Sequence, residues 1–134
     1  MAAGFATAAE AEAAFYQAFE AADLKAMMAV WAPSGEVECV HPMGPRLSSL
    51  AAIRESWRHI FHDARLVFTL TDVQRFSDTQ LAVHVLHERI QPAVGGMLQM
   101  MIATNMYRRI GDSWHMVLHH ASPIRGESTP STVH

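Results

Sequence analysis

The chain has 134 residues, half of them hydrophobic, which is enough for one buried core and leaves no room for a second domain of similar size. A formal net charge of −3, with ten Lys and Arg residues scattered along the chain, gives no basic stripe for a phosphate backbone, so nucleic acid is not expected as a partner. Cys39 is the single cysteine, which excludes an internal disulfide and makes a reducing, cytoplasmic location the expected one.

The opening MAAGFATAAEAEAAF is rich in alanine but lacks a basic start and is interrupted by Glu10 and Glu12, so it reads as helix and not as a secretion signal. No apolar run approaches the roughly 20 residues needed to span a bilayer, and no membrane is expected. From Ala8 to Ala22, Phe15, Phe19 and Ala22 recur at helical spacing with glutamates on other faces. Asp23 stands at an N-cap position before LKAMMAVWA, and Pro33-Ser34-Gly35 ends that second helix, with Met27, Met28 and Trp31 expected inward. VECVHP reads as a short first strand and MGPRLSS as a loop. Ser48 or Ser49 caps a third helix through Asp63, in which Ile53, Trp57, Ile60 and Phe61 share a face.

Beyond it the period changes to two. LVFTLTDVQRF, LAVHVLHERIQ, MLQMMIATNMYRRI and SWHMVLHHASP read as four long strands joined by short polar separators, and therefore as antiparallel neighbours. These strands are apolar on both faces, and three helices cover only one, so a homodimer formed through the sheet is expected to cover the other. The domain is expected over 1–124, with RGESTPSTVH as a flexible polar tail over 125–134.

The element order, together with CVHPMG after the second helix, AAIRESWRHIF on the third and ATNMYRRIGDSWHMVLHHASP at the end, resembles the SnoaL-like group of the nuclear transport factor 2-like superfamily. The resemblance runs from Phe15 to Pro123. Its most specific part is the final strand pair, with Thr104, Met106, Tyr107, Arg108, Trp114, His120 and Ser122. It implies an α+β cone of cystatin-like type, in which three helices pack on a curved, mixed or antiparallel sheet around a pocket. Proteins of similar fold include isomerases, dehydratases and cyclases, but also association modules, so the fold alone selects no reaction. A position two before His120 that is often histidine in relatives is Leu118 here.

Nine histidines invite a metal reading, which the spacing does not support. His84 and His87 lie three apart on a strand and His119 and His120 are adjacent, so each pair splits between faces. No metal or other cofactor is expected. The resemblance places Trp114 and His120 toward the helices, where His120 would be a general base, a hydrogen-bond donor or a core histidine. His41, at the end of the first strand, is the second catalytic candidate. Trp31 and Trp57 would wall the pocket, or simply fill the core. Only one of the sets Thr104/Met106 and Asn105/Tyr107 can face inward. Ser122, Thr104 or Asn105 would orient a carbonyl. Glu88 shares a face with His84 and would either pair with it in the pocket or form a surface ion pair. The expected ligand is a small, largely apolar molecule with a carbonyl or hydroxyl group, acted on by general acid/base chemistry. The alternative is a non-catalytic ligand-binding or dimerisation module.

Overall fold

The computed structural model describes residues 4–124 and contains three helices and six strands. In chain order they are α1 (Ala8–Ala21), α2 (Leu24–Val30), β1 (Glu38–Val40), β2 (Arg46–Leu47), α3 (Leu50–Asp63), β3 (Leu66–Ser77), β4 (Leu81–Pro92), β5 (Gln99–Ile110) and β6 (Ser113–Pro123). The tail expected over 125–134 lies outside the described residues. Each helix begins on a side-chain cap that satisfies one orphan N–H of its first turn: Thr7 accepts from Glu10, Asp23 from Ala26 and Ser49 from Ala52. α1 ends on Ala22 in the left-handed region (φ 54°, ψ 44°), its N–H turned back to the carbonyls of Ala18 and Phe19. No helix among the described residues is long and apolar enough to cross a membrane.

The strands form one mixed sheet in the order β2-β1-β6-β5-β4-β3. The four long strands pair antiparallel in sequence order, and β1 runs parallel to β6. Part of the segment expected as loop, Arg46–Leu47, turns back on β1 as an antiparallel edge strand. The helices all lie on one face. Phe15, Met27, Val30, Ile53 and Trp57 from them close over Ala82, Leu86, Ala103, Tyr107, Met116 and Ala121 of the sheet, forming the interior of the cone. Aromatic rings fill the helix side: Phe19 lies 4.7 Å from Trp57 and 4.3 Å from Phe68 between ring centroids.

Two bulges decide which side chains see that interior. In β6, Leu118 pairs with Met106 while Met116 pairs with Tyr107, so Val117 is an extra residue. The alternation therefore changes phase there: Trp114 and Met116 point inward before it, His119 and Ala121 after it. In β3, Thr71 pairs with His87 and Gln74 with Val85, leaving Asp72 and Val73 opposite the single residue Leu86. Asp72 adopts φ 52°, and its carboxylate meets His87 at 3.1 Å on the outer face. Beyond this bulge Arg75 faces inward, opposite His84.

Candidate active site in the cone interior

The inner face of the sheet carries a row of polar groups where the alternating pattern supplies mostly alanines and aliphatics. Glu88 on β4, Asn105 on β5 and His119 on β6 are all buried, and Tyr16 descends from α1 to join them. Their hydrogen bonds run in one direction. His119 Nδ1 lies 2.7 Å from Asn105 Oδ1, which can only accept, so Nδ1 carries the proton. Asn105 Nδ2 donates to the Tyr16 hydroxyl at 3.0 Å, and that hydroxyl donates to Glu88 Oε2 at 2.6 Å. Fixing the proton on Nδ1 leaves His119 Nε2 as a bare acceptor at the head of the chain. At the other end stands a carboxyl.

Burial governs the protonation of each member. Glu88, with one hydrogen bond from Tyr16 working the other way, has its pKa raised by burial to about 7. Burial lowers His119 to about 3, with the nearby His41 and His120 pushing the same way, so it is neutral at physiological pH. Tyr16 is pushed well above its ordinary value by burial and then by Glu88, and therefore remains a hydrogen-bond donor.

A second group flanks the chain. His41 follows β1 and stands edge-on to Trp57, with ring centroids 4.7 Å apart, and 6.1 Å from His119. Its Nε2 lies 2.9 Å from Ser56 Oγ. Because that hydroxyl donates to the Ile53 carbonyl at 2.6 Å, His41 Nε2 is the donor and Nδ1 the free acceptor. Burial lowers the His41 pKa to about 4. Trp57 Nε1, Trp31 Nε1 and the Tyr107 hydroxyl are buried and make no hydrogen bond among the described residues.

Of the residues singled out in the sequence, His41, Trp31, Trp57, Asn105, Tyr107 and Glu88 lie on the interior side. Thr104, His120 and Ser122 do not. His120 is exposed, paired across the sheet with Thr104 on the outer face, and Ser122 lies two residues further along it. The reason is the Val117 bulge, which an unbroken period of two cannot anticipate, and it substitutes His119 for His120 inside. Glu88 and His84 do share the inner face but do not pair with each other: Glu88 bonds to Tyr16, and His84 Nδ1 lies 2.6 Å from Glu12. Tyr16 and Glu12 escaped the sequence reading because on an alanine-rich helix they look like an ordinary interfacial aromatic and a solvated acid. Among the described residues, no three His, Cys, Asp or Glu side chains group as a metal site.

A cleft lies at one end of the sheet, next to the Glu88 row. It measures about 570 Å³ and is lined by Pro42, Met43, Leu98, Met100, Met101 and Ile124, among others. Met101 is the cross-strand partner of Glu88, so the cleft begins one side chain away from the carboxyl.

Comparison with known proteins agrees with this architecture. Residues 9–126 match the SnoaL-like domain. A Thiobacillus denitrificans protein, provisionally named a calcium/calmodulin-dependent protein kinase type II association domain, is 38% identical, with a TM-score of 0.84 over 92% of this chain and 99% of that one. A Streptomyces avermitilis protein of the NTF2-like family, provisionally named a dehydratase, is 32% identical, with a TM-score of 0.82 over 89% of this chain and 94% of that one. A protein from Nostoc punctiforme with a cystatin-like fold, 12% identical, shares the fold at a TM-score of 0.73 over 87% of this chain and 88% of that one. None of the curated protein sequences matches. With the match spanning nearly all of the cone, the chain belongs to the SnoaL-like domain family of the nuclear transport factor 2-like superfamily.

Proposed function

We propose that the protein binds a small, largely apolar molecule bearing a carbonyl or hydroxyl group and moves a proton on it, with Glu88 as the acid/base group. The observation that carries this reading is a carboxyl deep in an apolar cone with its pKa raised to about 7 and its geometry fixed by Tyr16. Such a group can both take and return a proton at neutral pH, which general acid/base catalysis requires. Dehydration of a β-hydroxy ketone fits best. Glu88 takes the proton beside the carbonyl and returns it to the departing hydroxyl, the carbon–oxygen bond breaks to release water, and the carbon–carbon double bond forms. His119 Nε2, an acceptor, holds the hydroxyl in place, while a buried donor such as the Tyr107 hydroxyl or Trp57 Nε1 stabilises the carbonyl oxygen. The ligand enters by the methionine-lined cleft, and a rotation of the flexible Met101 side chain joins cleft and carboxyl. The name of the Streptomyces avermitilis relative supports this reaction class.

Proton abstraction can be tested without knowing the product. β-Hydroxy ketones and cyclic enones incubated in D2O should exchange the hydrogen beside the carbonyl, followed by NMR, at a rate that rises with pH through about 7. Replacing Glu88 with Gln should lower that rate by about 100-fold or more. Exchange that proceeds equally well in Glu88→Gln removes Glu88 from the role.

The second reading is an association module. The outer face of the sheet presents Val83, Val85, Met106 and Leu118, half-buried, and the exposed Ile102, with no helix over them among the described residues. A second copy of the chain covers this face in the homodimer we propose, and the name of the Thiobacillus denitrificans relative favours assembly as a function in its own right.

A further inference from the structure

At the end of the sheet remote from the methionine-lined cleft lies a second polar cluster that the Glu88 chain does not use. Glu12 of α1 is buried and accepts from both His84 Nδ1 at 2.6 Å and Arg75 Nη2 at 2.8 Å. Burial works to raise the Glu12 pKa, but the bonds to His84 and Arg75 outweigh it and hold the carboxyl below its usual value. A carboxylate only accepts, so His84 carries a proton on Nδ1; in the neutral ring Nε2 is then an acceptor, and it has no partner among the described residues. Arg75 is about half exposed and spends only Nη2 on Glu12, so the rest of its fork of donors is uncommitted among the described residues.

Arg75 and His84 are direct cross-strand partners, which places their stems roughly 5 Å apart on one face. Both line a cleft of about 270 Å³ whose other walls are Thr7–Ala9, Ser77, Ala82 and the Trp114 side chain. The first-turn N–H groups of Ala8 and Ala9 have no partner inside the helix, which adds positive potential to the same wall. A planar anion suits Arg75, a hydroxyl donor suits His84 Nε2, and the two must sit on adjacent atoms to reach neighbouring side chains. The cleft holds one ring or a short chain against Trp114.

We propose that this cleft is a binding site for a small 2-hydroxycarboxylate, its carboxylate held by Arg75 and its hydroxyl by His84 Nε2, separate from the Glu88 chain. The test is an NMR titration of the whole protein with mandelate, and with phenylacetate as the analogue lacking the hydroxyl. Mandelate should give saturable shifts of the Ala8 and Ala9 amides and of the Trp114 indole N–H. Phenylacetate should bind about tenfold more weakly, the usual cost of leaving one hydrogen-bond partner empty. Arg75→Met should abolish the shifts. Should that variant fail to fold for want of a partner to Glu12, Arg75→Lys decides: it keeps the charge, loses the fork, and should bind at least about tenfold more weakly. Equal affinity for the two acids, unchanged affinity in Arg75→Lys, or shifts confined to Met43 and Met101 at the other cleft would each overturn the site.

Discussion

At the scale of single residues, the interior is organised by who donates to whom. Tyr16 holds Glu88 by one hydrogen bond, and that bond works to lower a pKa which burial has raised. Tyr16→Phe should therefore move the Glu88 titration above about 7, read from the carboxyl carbon shift in NMR, and cost about 1–2 kcal/mol in urea unfolding as Asn105 loses its acceptor. A titration unmoved or shifted down would mean that Tyr16 does not bond the carboxylate. Glu88 was legible as sharing a face with His84, with the pocket and the outer surface both open to it, and Asn105 was likewise one of two alternatives. The partner Tyr16 was not, since the contact joins residues 72 positions apart and nothing local on α1 marks it. His119 and His120 could not be told apart by residue type. Only their phase in the strand separates them.

At the scale of elements, sequence did better where local chemistry decides and worse where register does. The cap of α2 follows from Asp23 and that of α3 from the Ser48-Ser49 pair, since a hydroxyl or carboxylate finds a first-turn N–H whatever the rest of the fold, whereas Thr7 as the cap of α1 comes from the structure. The four long strands follow from their alternation. The bulges do not, because an extra residue is set by pairing with the neighbouring strand, and neither Asp72 nor Val117 is a glycine that would announce one. β2 was missed for a related reason: two residues next to a proline carry no periodicity. The end of α1 offers a simple check, since Ala22 occupies left-handed space that costs an alanine but not a glycine. Ala22→Gly should raise stability by about 0.5–1 kcal/mol in urea unfolding, and a loss of that size would show that the turn is not strained.

At the scale of the whole molecule, three buried groups set the dependence of stability on pH between about 4.5 and 7. Glu88 titrates near 7 when folded against 4.5 when free, so the native state holds a proton the unfolded chain has released, and stability from this group falls as pH rises through that window. His41 and His119 titrate near 4 and 3 against 6.5, so their contribution is lost as pH falls below 6.5. Between 4.5 and 6.5 the two histidines outweigh the one carboxyl by a net proton, about 1.4 kcal/mol per pH unit, which places the maximum near pH 6.5. Glu88→Gln should steepen the acid limb to about two protons, measured by urea unfolding at half-unit steps. The proposed dimer has its own check on the outer face: Ile102→Glu should convert dimer to monomer in sedimentation, and a dimer that persists would exclude that face. The extra residue in β6 has a further effect, on how the chain finds its fold. Were β6 to zip onto β5 without it, His120 would still turn an imidazole into the cone, but Leu118 would lie against Asn105 and leave Oδ1 with no donor. An unanswered buried carbonyl costs about 1–3 kcal/mol, so the Asn105–His119 bond acts as a checksum on strand alignment and rejects a slip that two neighbouring histidines would otherwise conceal.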